Sequence, residues 1–95
     1  MKTQASLLYK ERIELAESSF VEGVIWDLAK PLAGNAHGFK YRLAYVIDGV
    51  CVLRYDNEAG KGDHKHLGER EVDYVFTTLD QLVDDFWADV AQLGG

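Results

Sequence analysis

The chain has one cysteine, one proline and one methionine in 95 residues, and no apolar run approaches the length of a membrane span. Each scarcity excludes something. The lone Cys51, set between Val50 and Val52, can close no internal disulfide and is expected to be a small buried hydrophobe, which fits a reduced, cytoplasmic setting. The stretch Met1 to Lys10 lacks the apolar core of a signal peptide, so export by that route is not expected. There is no second cysteine and no HExxH pair, which removes the commonest zinc patterns, and no glycine run followed by Lys-Ser/Thr, which argues against nucleoside triphosphate hydrolysis. A serine or cysteine nucleophile triad finds no support, because Cys51 lies in an apolar run away from the histidines. Repeats and low-complexity segments are absent.

What is present is an ordinary globular composition, 47% hydrophobic and 27% charged, enough for one domain over residues 1–95 with a single modest core. The net charge of −6 is unevenly spread: residues 1–66 hold nine Lys/Arg against nine Asp/Glu, while residues 67–95 hold one against seven. A local positive surface around Lys40, Arg42, Arg54, Lys61 and Lys65 is therefore allowed despite the acidic total.

Residues 7–15 carry apolar side chains at Leu7, Tyr9, Ile13 and Leu15, a period of two that predicts a strand, followed by a turn over Ala16 to Ser19. Phe20 to Ala29 is rich in β-branched and aromatic residues and predicts a second strand, with Gly23 marking a bulge or a close backbone approach. Lys30 to Gly38 holds the only proline and two glycines and is expected to be a loop. Phe39 to Ile47 and Val50 to Asn57 flank Asp48-Gly49, the dipeptide that supplies positive φ for a two-residue type I′ hairpin turn. Ideal pairing across that turn sets Tyr45 opposite Val52, Leu43 opposite Arg54 and Arg42 opposite Tyr55, so that Lys40, Arg42 and Tyr55 share a face. Gly60 to Gly68 is expected to be a flexible loop, and Glu71 to Phe76 a short fifth strand.

From Thr77 the period changes to 3.6. Thr78 can cap a helix, Asp80 suits its positive end, and Leu79, Leu82, Val83, Phe86, Trp87, Val90 and Leu93 form one stripe, with Asp80, Asp84, Asp85 and Asp89 facing solvent. The expected architecture is α+β: an antiparallel meander of four to five strands with one C-terminal amphipathic helix packed on it.

Reactive side chains concentrate in Arg54 to His66, where thirteen residues hold two histidines, three carboxylates, three cations, an amide and a phenol. In extended backbone His64 and His66 project to the same side. As general acid and base they suit the removal of a proton from a ribose 2′-hydroxyl and the protonation of the leaving oxygen, with Asp63 in the cluster and Lys61, Arg54 or Lys65 stabilising the developing negative charge. Tyr55 and Tyr41 offer base stacking, and Lys40, Arg42, Asn57 and Lys65 are candidate RNA contacts. Other readings stay open. His-x-His with Asp63, Asp56 or His37 is also a transition-metal set, and the same residues could decorate a solvated loop.

The chain resembles a small bacterial and archaeal family, the TumE-like toxins of type II toxin–antitoxin systems. The resemblance rests on Lys40-Tyr41-Arg42-Leu43-Ala44-Tyr45, on Val52-Leu53-Arg54-Tyr55-Asp56-Asn57-Glu58 and on Gly60-Lys61-Gly62-Asp63-His64-Lys65-His66, with His37 upstream and Phe76-Thr77-Thr78 entering the last helix. It implies a growth-arresting toxin held inactive by a helix-turn-helix antitoxin, and, by analogy with other small toxins of this type, ribonuclease action on mRNA. Those toxins tend to be basic, whereas this chain is acidic. The expectation is a metal-independent endoribonuclease without a cofactor, with antitoxin and RNA as partners and a homodimer also open. A metal-dependent nuclease and a non-catalytic adaptor domain are the alternatives.

Overall fold

The computed structural model describes residues 5–28 and 37–94. Among them are six strands and one helix: β1 (Ser6–Ala16), β2 (Ser19–Asp27), β3 (Phe39–Ile47), β4 (Val50–Glu58), β5 (Gly62–Leu67), β6 (Arg70–Asp73) and α1 (Leu79–Gly94). The strands form one antiparallel sheet in chain order, each paired with the next, and α1 packs on one face. This is the expected α+β meander with one strand more than anticipated. Lys30 to Ala36 of the expected loop lie outside the described residues; beside them, Leu28 N–H donates to the Gly38 carbonyl at 2.7 Å.

The β3–β4 hairpin turns where Asp48-Gly49 dictates, with φ of 51° and 80° at the two turn residues. Its register departs from the ideal two pairs later. Ile47 faces Val50 and Val46 faces Cys51, but Tyr45 faces Leu53, which leaves Val52 as a bulge. The expected register is corrected accordingly: Ala44 lies opposite Arg54, Leu43 opposite Tyr55 and Arg42 opposite Asp56. Because side chains alternate, this one-residue shift sends Leu53, Tyr55 and Asn57 to the helix side and Arg54 and Asp56 to the open side. The bulge does not strand its backbone, since the Val52 carbonyl accepts from Gly68 N–H at 3.1 Å. Cys51, expected to be buried, is exposed, as is Val50 beside it at the hairpin tip.

The loop expected over Gly60 to Gly68 is instead strand β5. Positive φ at Gly60 (84°) and Gly62 (79°) confines the reversal to a short turn, and Lys61 N–H donates to the Glu58 carbonyl at 3.1 Å. From Gly62 onward the chain pairs with β4, and a further reversal with Gly68 at φ 62° returns it as β6. That strand ends at Asp73, so the expected fifth strand over 71–76 is shorter and earlier than anticipated. At Gly23 the close-approach alternative holds: an added Cβ would stand 2.6 Å from Leu43 Cδ2. The register shifts of β1–β2 fall elsewhere, between Leu7 and Tyr9 and between Glu14 and Ala16.

Helix α1 starts where its cap is, with Thr78 Oγ1 accepting from Gln81 N–H at 3.1 Å. Leu82, Phe86 and Val90 bury the centre of the stripe against Val21, Ile25, Leu43, Tyr45, Leu53 and Tyr55, while Trp87 and Leu93 remain exposed. Asp85 and Asp89, expected to face solvent, reach the sheet instead. Tyr74 Oη donates to Asp85 Oδ2 at 2.6 Å, and Tyr55 Oη donates to Asp89 Oδ2 at 2.5 Å. Lys65 Nζ donates to the same Asp89 oxygen at 3.0 Å. Burial first, and then these carboxylates, push the Tyr55 and Tyr74 hydroxyls well above their ordinary pKa. In β1, Leu7, Leu8, Tyr9, Ile13 and Leu15 are exposed.

Truncating Leu82 to alanine removes a fully buried side chain and should cost about 2–5 kcal/mol in urea unfolding. The tyrosines give a pH signature of definite sign. Below the ordinary tyrosine value of 10.0 both states keep the proton and the contribution is full. Above it the unfolded chain ionises while folded Tyr55 and Tyr74 do not, so stability falls as pH rises toward their raised values. The urea midpoint should therefore drop above that pH, with phenolate absorbance from these two residues appearing only as the protein unfolds.

Candidate functional site

Strand alternation and the Val52 bulge together bring four reactive side chains to the open face of the sheet. Asp56 pairs directly across from His64, and Arg54 directly across from His66. Arg54 Nε donates to Asp56 Oδ2 at 2.9 Å, and Arg54 Nη2 donates to His66 Nε2 at 2.9 Å. A guanidinium has only donors, so His66 Nε2 must present its lone pair there and the ring proton sits on Nδ1. His64 Nε2 lies 2.9 Å from Asp56 Oδ1, and the two imidazoles meet edge to face with centroids 5.1 Å apart. Exposure separates the histidines: the His64 side chain is 3% exposed and that of His66 22%. Of the two rings, only His66 is open to solvent.

Lys61 stands at the rim of this cluster, 3.3 Å from Glu71 and 3.8 Å from Glu58. Its hydrogen bond and charge hold the Glu71 carboxyl below the usual range. Glu71 is in turn 3.8 Å from His66 Nε2. Arg42 shares the open face opposite Asp56 and is 3.8 Å from Glu22. The cations of this face thus stand beside carboxylates, and an anionic substrate would compete with those partners for them.

Asp63 and Lys65 project to the other face, away from His64 and His66. Asp63 is held by His37, whose Nε2 is 2.9 Å from both carboxylate oxygens. Phe39 N–H donates to His37 Nδ1 at 3.1 Å, which fixes Nε2 as the protonated nitrogen that donates to Asp63. The His37 ring stacks on Phe76 with centroids 3.8 Å apart and lies near Tyr41. The Tyr41 hydroxyl is buried without a partner, and burial followed by the Asp63 charge raises its pKa. Lys65 is occupied at Asp89.

Tyr41 and Tyr55, expected as a stacking surface, are 0% and 1% exposed and offer no face to a base. Asn57, expected to touch RNA, is fully buried: its Oδ1 accepts from Tyr41 N–H at 3.0 Å and its Nδ2 donates to the Phe39 carbonyl at 2.7 Å. It thereby serves the backbone of β3 beyond Arg42 and Asp56, the last residue pair of the β3–β4 ladder. Lys40 Nζ donates to the Asn57 carbonyl at 2.8 Å, which ties that cation to the same edge. From the sequence, Asp56 stood only as an alternative metal ligand and Glu71 not at all, yet both belong to the open-face cluster. A hairpin reading of Glu58 to Gly62 would have found Asp56, because folding the chain back at Gly60 sets it beside His64.

The Toxin TumE family model matches residues 3–93, nearly the whole chain. No curated protein and no solved structure matches it. Among the described residues no helix is long and apolar enough to cross a membrane.

Replacing Asn57 by alanine leaves a buried Tyr41 N–H and Phe39 carbonyl unpaired. The expected cost is about 1–3 kcal/mol for each group in chemical denaturation, with slowed amide exchange at Tyr41 lost.

Proposed function

The chain belongs to the TumE toxin family, and we propose that it arrests growth by cleaving RNA on the open sheet face, with His66 as the base and Arg54 as the phosphate contact. The observation that carries this reading is the Arg54–His66 contact, 2.9 Å from guanidinium to imidazole lone pair, on a half-open surface. A phosphodiester drawing Arg54 toward its oxygens would uncover that lone pair. His66 Nε2 then takes the proton of the ribose 2′-hydroxyl, the 2′-oxygen bonds to phosphorus, and the 5′-oxygen leaves and takes a proton from solvent. The products are a 2′,3′-cyclic phosphate and a 5′-hydroxyl end. Arg54, with Lys61 at the rim, offsets the charge on the phosphorane.

Burial gives His64 a positioning role rather than contact with substrate. Asp56 holds Arg54 by a hydrogen bond and stands 2.9 Å from His64 Nε2, and the His64 ring backs His66 edge to face. Arg42 extends the cationic surface toward β3, while Tyr55, Asn57, Lys65 and Asp63 act in the scaffold. Chemistry of this kind needs no metal. The resemblance supplies a helix-turn-helix antitoxin as the neutralising partner, and the exposed apolar residues of β1 favour such a protein contact.

On expression in cells, His66→Ala and Arg54→Ala should each abolish growth arrest, and His66→Ala should lower RNA cleavage by about 10²–10⁴-fold. Cleavage by the wild type should survive chelator and leave cyclic phosphate ends. Full toxicity in the folded His66→Ala variant would sink the reading.

A further inference from the structure

Three donor atoms on the open face gather around one place. Asp56, His64 and His66 each offer a ligand atom within 4.8 Å of the other two, and Asp56 Oδ1 lies 2.9 Å from His64 Nε2 and 3.9 Å from His66 Nε2. Ligands sharing a transition metal at bond lengths of about 2.0–2.2 Å sit roughly 3–4 Å apart, so these three need only small shifts, Asp56 and His64 moving slightly apart, to share an ion. Hydrogen bonding within the cluster is also incomplete. Asp56 Oδ1 is buried without a hydrogen-bond partner even though His64 Nε2 is at contact distance, and His64 Nδ1 is buried and unpartnered too. A buried carboxylate oxygen left unpaired is costly, and a cation between the three donors would satisfy it.

We propose that Asp56, His64 and His66 bind one divalent transition-metal ion, of the zinc or cobalt class that mixed imidazole and carboxylate sets favour, and that the bound ion inhibits the toxin. Glu71 Oε1 is 3.8 Å from His66 Nε2, and its exposed side chain can rotate in as a fourth ligand. Arg54 opposes the ion: it must release His66 Nε2, though it can keep Asp56 Oδ2, and its charge repels a divalent cation. The inhibition rests on the proposed role of His66 as base, since a nitrogen bonded to metal cannot take a proton. The binding itself does not depend on that role.

The test is titration of metal-free protein with Co²⁺, read by visible absorption and calorimetry, alongside RNA cleavage at each occupancy. One ion per chain should bind with d–d bands of a low-coordinate site. Affinity should fall at least tenfold in His66→Ala and Asp56→Asn, each checked for folding by circular dichroism, and rise in Arg54→Ala. Cleavage by wild type should decline in step with occupancy. Absence of binding, or binding unchanged in both ligand variants, overturns the site. Cleavage that rises with occupancy overturns the inhibition. If His66→Ala loses the ion yet still cleaves RNA, the base assignment fails while the metal site stands.

Discussion

Val52 is the extra residue of the β3–β4 hairpin, and the facing of every side chain beyond it follows from that insertion. Without a bulge, Arg54 and Asp56 would point under the helix and Leu53 and Tyr55 into water. With it, Leu53 and Tyr55 join the core and the charged pair turns to the open face. The next strand inherits the choice. His64 and His66 stand beside Asp56 and Arg54 because β5 pairs with β4 in register, so a single main-chain irregularity sets the composition of the cluster.

The alternation that places the cluster also divides the polar residues into two kinds. On the helix side they are ties: Tyr55 and Lys65 to Asp89, Tyr74 to Asp85, His37 to Asp63. The Tyr55, Lys65 and His37 ties join residues 24 to 34 positions apart, and all of these contacts are part-buried. On the open side the groups are incompletely satisfied, and the more reachable histidine faces a guanidinium. Unspent hydrogen-bonding capacity at a surface is what a binding or reacting group needs, whereas the helix-side ties have little to spare.

The sequence displayed the hairpin turn, the helix cap and the apolar stripe because each depends on local chemistry: positive φ at Asp48-Gly49, the Thr78 oxygen, and a 3.6-residue period. It did not display the bulge. Val52 is an ordinary strand residue, and the insertion is favoured only by the core it creates around Leu53 and Tyr55. The strand β5 was hidden for a related reason. Asp63-His64-Lys65-His66 is polar on both faces, so it carries no apolar alternation, and its strand character comes from pairing with β4. The split of the cluster between two faces was therefore legible only in part. That His64 and His66 share a side follows from alternation, but which side, and with which partners, required the register.

Urea unfolding of the chain lacking Val52 tests this dependence most directly. Deletion removes the extra residue and leaves Tyr45 opposite Leu53, Ala44 opposite Arg54 and Leu43 opposite Tyr55, so every side chain beyond it keeps its face and a cooperative transition should persist, with a stability loss below about 3 kcal/mol. Loss of the cooperative transition on deletion would contradict the account.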